Sequence, residues 1–583
     1  MHLAVTPAVE FWDTNDELLF IGPWCARYDR RSDWEGMRRS FARDPWLNEG
    51  RVHAGRLESE RLFAEIFPPL VHTINRLHSV NMPERYWRIL TGPWLIRYIH
   101  FVLDRHERLK AAFEDHPELK TTQLDHRDYA TARDTLEFQT LGFTDAYNLQ
   151  IASQLMSLCS RNFPTRRLPD DLRPELPLPA IGRKRRLADW AVRKAGPPVL
   201  LTELFADRKD QWRLLASLTG RGAQFVGRLP PPPPASDWAA RDELADIEAS
   251  EGISRALVAL LPQNFPSLYL EGFAAARERI RRGWRRRPKV LVSAEGWVFN
   301  EALKFAGAEF YRSGTTLIGA QHGGGYGVDL DLPTEWMEKS TCDLYVTWGW
   351  TDDEGSAPNR PLPNPRLFRL RGMGRKHDRR EGSALLFVTD GFPLYPFQFY
   401  GFPIGREIER DFEDQFAFIA PLKESVGQDL TVRPYPVERG WRAKDRLLDR
   451  FPGLRLDEAR RPLHESFPRT RLLAFNCLGT AFLEALAYGM PCLVYLAPRF
   501  AKVRPQAEAD LARLREAGIL MDSPVEAARR AAELHRDPFS WWDSAVVRRA
   551  RELWCERYAG GFQPWLDHWT RLLREAAGGA SPP

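Results

Sequence analysis

Three segments of this 583-residue chain hold residue types at spacings suited to a phosphorylated ligand. In the first, Phe475-Asn476-Cys477-Leu478-Gly479-Thr480 runs into Ala481-Phe482-Leu483-Glu484-Ala485-Leu486-Ala487-Tyr488-Gly489-Met490-Pro491. The pattern predicts a buried strand ending at Asn476, a glycine turn, a helix opening at Thr480, and a stop at Gly489 and Pro491. Free backbone N–H groups at such a helix start, with the Thr480 hydroxyl, suit a phosphate. Glu484 lies four residues on, hence on the same helical face, where its carboxylate suits ribose hydroxyls. The plain alternative is a strand-turn-helix merely capped by Thr480.

The second segment is Gly319-Ala320-Gln321-His322-Gly323-Gly324-Gly325-Tyr326-Gly327, a glycine-rich loop after an apolar run. Glycines let backbone approach a ligand closely. His322 suits a general acid, a general base or a phosphate donor, the alternative being a satisfied structural histidine. The spacing is neither GxGxxG nor a P-loop. Third, Arg433-Pro434-Tyr435-Pro436 ends another predicted strand, and Arg433 suits a bidentate contact with a phosphate or carboxylate. Asp390-Gly391-Phe392 would supply the loop on the neighbouring strand. Ser293, Glu295 and Asn300 follow a further strand. Glu295 is either a base or nucleophile facing a hydroxyl, or a helix cap. Asp329-Leu330-Asp331 is formally the DxD metal–phosphate pattern, but it follows the glycine loop and no metal is expected there.

Such residues need strands that end together. Short apolar runs at 197–205, 225–229, 289–297, 315–323 and 344–350, several followed by helical patterns, argue a parallel sheet covered on both faces. A second alternation at 384–390, 430–436, 471–476, 492–496 and 518–520 argues another. Runs at 2–6 and 17–22 are expected to begin the first sheet, with 54–160 as a helical insertion. The stretch 351–382, rich in Pro, Gly and charge, is the expected linker between an N-terminal domain, 1–350, and a C-terminal domain, 383–583, with a helical tail. The expected fold class is α/β, with two doubly wound Rossmann-like domains facing one cleft.

Composition closes off other classes. Lys plus Arg number 83 against 78 Asp plus Glu, and a formal charge of +5 is too small for bulk nucleic-acid binding. No apolar run approaches the roughly 20 residues that span a bilayer. Six dispersed cysteines without a CxxC pair signal neither a zinc site nor a disulfide framework. The opening MHLAVTPAVEFWD lacks the basic start and apolar core of a secretory leader, so a cytoplasmic location is expected. The basic runs Arg183-Lys184-Arg185-Arg186 and 281–287 suit either anionic lipid or plain solvation.

Taken together, LLFIGPWCARYDRR, LIGAQHGGGYG, CDLYVTWGW, VRPYPVERGW, FNCLGTAFLEALAYGMP and WWDSAVVRRARELWCERYA resemble, in order and nearly end to end, a family of transferases from bacterial O-antigen and surface-carbohydrate gene clusters. The QHGG-x-YG loop and the TWGW segment are the most specific pieces. The EAL-x-x-G-x-P ending is similar to the donor-binding helix of two-Rossmann glycosyltransferases. The resemblance implies a GT-B-type enzyme, distantly similar to Kdo and nonulosonate transferases. It would move a sugar from a nucleotide-activated donor, such as CMP-Kdo or a related acidic sugar, to an O-antigen or other surface-polysaccharide acceptor. It further implies a lipid-linked or oligosaccharide acceptor, peripheral contact with the inner membrane, and no cofactor beyond the nucleotide sugar as co-substrate. Gln321, His322 and Gly323 would belong to the active-site loop, and Asn476, Gly479, Thr480 and Glu484 to the donor site, with His322 or Glu295 assisting the acceptor hydroxyl. Many such donor sites have a His-Pro dipeptide where this chain has Tyr435-Pro436, which turns the phosphate contact over to Arg433, His322 or the helix end. The rival readings are a nucleotide-sugar epimerase of the same plan and a non-catalytic scaffold of a polysaccharide assembly complex.

Overall fold

The computed structural model describes residues 1–47, 50–159, 161, 163–176, 182–352, 357–375, 382–498 and 502–578. Parts of the expected linker, 353–356 and 376–381, lie outside the described residues. Six parallel strands form the first large sheet, in the spatial order Asn359–Pro361, Leu344–Thr347, Thr316–Ala320, Val290–Ser293, Val199–Thr202, Gly222–Gln224. Its central strands, VLLT and VLVS, are buried at every position. They lack the alternation of a half-exposed strand because helices cover both faces. The second sheet, also parallel, runs Arg455–Leu456, Leu430–Arg433, Ala384–Val388, Thr470–Phe475, Cys492–Tyr495, Leu520–Met521. Numbered along the chain, its order is 3-2-1-4-5-6. Crossovers therefore leave in opposite directions from Ala384–Val388 and Thr470–Phe475, opening a crevice at their carboxyl ends.

The amino-terminal runs do not join the first large sheet. His2–Ala4, Leu18–Phe20 and Arg39–Phe41 make a separate three-stranded parallel sheet. Leu3, Leu18 and Phe20 share one core with two long helices, Arg51–Leu77 and Glu84–Asp115, so this small sheet belongs to the helical layer. The strand expected at 225–229 lies instead at Gly222–Gln224, ahead of the proline run at 230–234.

Two pieces of chain tie the lobes together. After strand Ala384–Val388, the segment 392–406 enters the helical layer. The Phe397 ring lies 5.4 Å from Phe101 and 5.6 Å from Phe138, and Phe399 lies 4.5 Å from Trp46. Tyr395 donates to Asp145 at 2.7 Å, and the buried Arg105 bonds the Pro396 carbonyl. The other tie is the final helix, Trp565–Gly578, which by packing belongs to the first lobe rather than the second. Trp565, Trp569, Leu572 and Leu573 fall on one helical face, and they cluster with Val199, Val290, Ile318 and Val346 of the first sheet. Trp569 also donates to the Pro363 carbonyl at 3.1 Å. Trp569→Ala is expected to cost about 3–5 kcal/mol of stability, measured by denaturant unfolding, with proteolysis opening the first lobe although the mutation lies near the carboxyl terminus.

Candidate active site

The carboxyl strand ends of both sheets meet around a cavity of about 740 Å³. The first lobe contributes the glycine loop, from His322 to Tyr326, and Asp329; the second contributes Asp390, Arg433, Cys477, Gly479 and Thr480. Phe392, Phe397, Tyr400 and Phe402, from the segment that enters the helical layer, form an aromatic wall.

His322 is oriented by a carboxylate that the sequence patterns do not single out. Glu338 sits on helix Pro333–Thr341 with no side-chain exposure, and its Oε1 lies 2.8 Å from His322 Nε2. Its other oxygen accepts from Tyr345 at 2.7 Å and from Tyr326 at 3.1 Å. Tyr326 Oη also lies 2.8 Å from His322 Nε2. Burial, then the charge of Glu338, pushes both phenols well above their ordinary value, so they remain donors. Burial alone would lower the His322 pKa; the charge of Glu338 and its hydrogen bond outweigh this and raise it above the ordinary imidazole value. With Nε2 engaged, any proton that His322 exchanges with a cavity ligand passes through Nδ1.

The loop and the second lobe touch backbone to backbone. A Cβ on Gly324 would lie 2.5 Å from the Gly479 carbonyl carbon and 2.6 Å from the Thr480 nitrogen, so only glycine fits. Helix Thr480–Tyr488 therefore opens directly beneath the glycine loop. Gly479, its N-cap, offers no side-chain cap, and the N–H groups of Thr480 and Ala481 donate to nothing among the described residues. Such uncapped donors, at the positive end of the helix dipole, suit an anion.

The predicted site residues divide. His322, Gly323, Arg433, Gly479, Thr480 and Glu484 line the cavity. Gln321 does not: its Oε1 accepts from Trp348 N and Trp350 Nε1, each at 2.8 Å, and its Nε2 donates to the Gly323 carbonyl at 2.8 Å. With all these groups satisfied and 1% exposure, Gln321 shapes the loop instead of contacting a ligand. Glu295 is exposed outside the cavity lining, at the start of the short helix Gly296–Phe299, although its charge contributes to raising the His322 pKa. Asn476 lies behind the lining, where its Oδ1 accepts from Asp390 N at 3.0 Å and so fixes the crevice edge. Two residues on the lining are already engaged. Arg433 pairs with Asp457 at 2.7 Å and donates to the Arg461 carbonyl, while Glu484 pairs with Arg366 at 2.7 Å.

Three lining residues carry more than the sequence reading assigned to them. Asp329 partly faces the cavity, and its carboxyl accepts no hydrogen bond among the described residues. Burial, reinforced by Glu335, Asp390 and Asp331 and opposed by Arg504, raises its pKa to about 7. Its DxD companion Asp331 is buried elsewhere, between His53 at 2.8 Å and Arg56 at 2.6 Å, so the two carboxylates do not act as a pair. Asp390 accepts from the Cys477 thiol and from Gly391 N at 2.8 Å, and burial raises its pKa as well. Arg439 stacks on the Tyr435 ring at 4.7 Å and has no carboxylate partner among the described residues, which makes it a better placed cation than Arg433. The DLD pattern and the arginine after Arg433-Pro-Tyr-Pro were visible signals; Glu338 had none.

Two doubly wound parallel sheets facing one crevice, with a helical insertion in the first lobe, make this a GT-B-like protein. The chain belongs to the LIC12162 family of transferases, whose sequence model matches residues 1–573. Gln321 shows why two of its segments go together, since one amide holds both the QHGG loop and the TWGW turn. Among solved structures, MnaA of S. aureus with UDP is similar at a TM-score of 0.35 and 11% identity, covering 65% of this chain and 95% of that one. Alr3699/HepE of Anabaena, in complex with UDP and glucose, is similar at 0.33 and 10%, covering 65% and 98%. The wall teichoic acid polymerase TagF is similar at 0.31 and 9%, covering 68% and 93%. No curated protein matches the chain.

Glu338→Gln is expected to lower the His322 pKa, because the largest opposition to burial is then removed and only the charge of Glu295 still raises it; imidazole proton NMR reads it. The raised value also makes His322 stabilising below about pH 6.5, with that contribution lost as pH rises through the folded-state pKa. The unfolding midpoint of a His322→Gln variant should accordingly lack this step.

Proposed function

We propose that this transferase moves a glycosyl group from a nucleotide-activated donor to a hydroxyl of a saccharide acceptor. The observation carrying the reading is that His322, held by Glu338, faces across one cavity the uncapped helix start at Thr480. In the reaction, the acceptor oxygen bonds to the anomeric carbon, the bond from that carbon to the phosphate oxygen breaks, and the nucleotide leaves with the electron pair. The Thr480 and Ala481 N–H groups bind the donor phosphate, and charge builds on it as the bond breaks. Preorganised donors stabilise such charge most where water is excluded. His322, whose proton Glu338 holds to higher pH than an ordinary imidazole would keep it, serves the departing phosphate through Nδ1. Asp329, whose pKa of about 7 lets it ionise near neutrality, takes the acceptor proton.

The second lobe holds the nucleotide and the first lobe, with its helical insertion, the acceptor. Arg439 is positioned for the carboxylate of an acidic sugar, which supports a CMP-activated donor of the Kdo type. A surface polysaccharide or O-antigen unit, lipid-linked or as an oligosaccharide, is the acceptor of this reading.

A thermal-shift panel of CMP-, UDP-, GDP- and dTDP-sugars should show stabilisation by one nucleotide class, about 2.7 kcal/mol at a ligand concentration of roughly 100 Kd; no response to any would sink the reading. Transfer should rise with pH as Asp329 ionises around pH 7 and fall as His322 loses its proton at higher pH. Asp329→Asn should abolish the rising limb and lower turnover by about 10²–10⁴, measured as product formation across pH.

A further inference from the structure

The two basic runs lie far apart in sequence, yet the fold joins them. Helix Arg183–Ala195 turns Asp189 and Arg193 inward, both buried. Arg193 Nε bonds Asp189 at 2.9 Å, and its Nη1 donates to the carbonyls of Arg279 at 3.1 Å and Arg282 at 3.0 Å. Arg279 takes the other Asp189 oxygen, and Arg285 N donates to the Arg193 carbonyl at 3.0 Å. These bonds hold the helix against the chain that carries the second run.

Another face of the helix, roughly 110° round the axis at 3.6 residues per turn, presents Arg183, Leu187, Trp190 and Lys194, at the i, i+4, i+7, i+11 spacing of a single stripe. All four are exposed, Leu187 by 67% and Trp190 by 61%. Lys184 and Arg186 flank the stripe, one on each side, and Arg285, Arg286 and Arg287 stand exposed on the adjoining segment. The nearby carboxylates are already spent, Asp189 on Arg193 and Arg279, Glu278 on Arg282. The result is a cationic platform with an aliphatic and an indole side chain at its centre.

We propose that this platform seats the protein on an anionic lipid surface. Lys and Arg near such a surface gain from its negative potential. An indole lies favourably at headgroup depth, and a helix with cations around a short apolar stripe rests in the interface plane. A soluble polyanion would use the cations but leave Leu187 and Trp190 in water.

The test is flotation of the full chain with vesicles of phosphatidylcholine alone and of equimolar phosphatidylcholine and phosphatidylglycerol. Binding to the mixed vesicles alone is expected, weakening with salt. Replacing Arg186 or Lys194 by Gln should in each case weaken it about fivefold. The pair Leu187→Ser and Trp190→Ser should weaken it tenfold or more, with an unchanged melting temperature and unchanged retention on dextran sulfate. Failure of the wild-type chain to float with the mixed vesicles overturns the proposal. Unaltered flotation of the Leu187→Ser/Trp190→Ser variant also overturns it, in favour of a polyanion surface.

Discussion

A carboxylate without solvent must have its charge answered from within, and Glu338 is such a group. Two phenols and an imidazole answer it, one from strand Leu344–Thr347 and two from the glycine loop. That demand fixes the loop at His322 and Tyr326, and Gln321 fixes it again at its root through the Trp348 and Trp350 turn. Between those anchors the three glycines have little choice of course. Their backbone comes to rest on the helix start of the other lobe, which makes the crevice one site instead of two facing surfaces. A burial requirement on one side chain therefore propagates to the position of an imidazole, to the seating of the loop and to the closeness of the lobes.

The parts that could be read from the sequence are those in which neighbouring residues carry their own explanation. Strand, glycine turn and helix follow one another within 475–491, so both the element and its open amino terminus are local facts. The glycine loop is local in the same way. Gln321 was legible as a member of that loop but not as its anchor, since its partners lie on the next strand and turn. Glu338 was invisible because its meaning depends on Tyr345 and His322, which the chain reaches only after a helix and a strand have folded. Asp329 stood in a pattern that suggested a metal-binding pair. Separation of the two carboxylates, one to the cavity and one to His53 and Arg56, is a tertiary fact. The small amino-terminal sheet was misplaced for a related reason: a short apolar run says strand, but not which sheet it will join.

The aromatic load of 20 Trp, 15 Tyr and 33 Phe is largely a matter of joining layers. Rings from the helical insertion, Phe101, Phe138 and Phe143, close on Phe397 from the second lobe. Large rigid rings bury much area for little conformational entropy. One short segment can thereby bind a helical layer to a sheet while its far side lines the cavity. Packing and ligand wall are two faces of the same residues.

The return of the final helix to the first sheet has a consequence for how the protein is made. The apolar face of strands Val199–Thr202, Val290–Ser293 and Thr316–Ala320 is completed by Trp565, Trp569, Leu572 and Leu573, which leave the ribosome only after the whole second sheet. At a synthesis rate of about 5–20 residues per second, the roughly 200 residues between that sheet and its cover take about 10–40 s to emerge. Throughout that interval the first lobe waits with a sticky flank, while the second lobe has everything it needs to fold. The order of synthesis and the order of completion are thus inverted, and the nascent chain is most exposed to aggregation in the half that was made first.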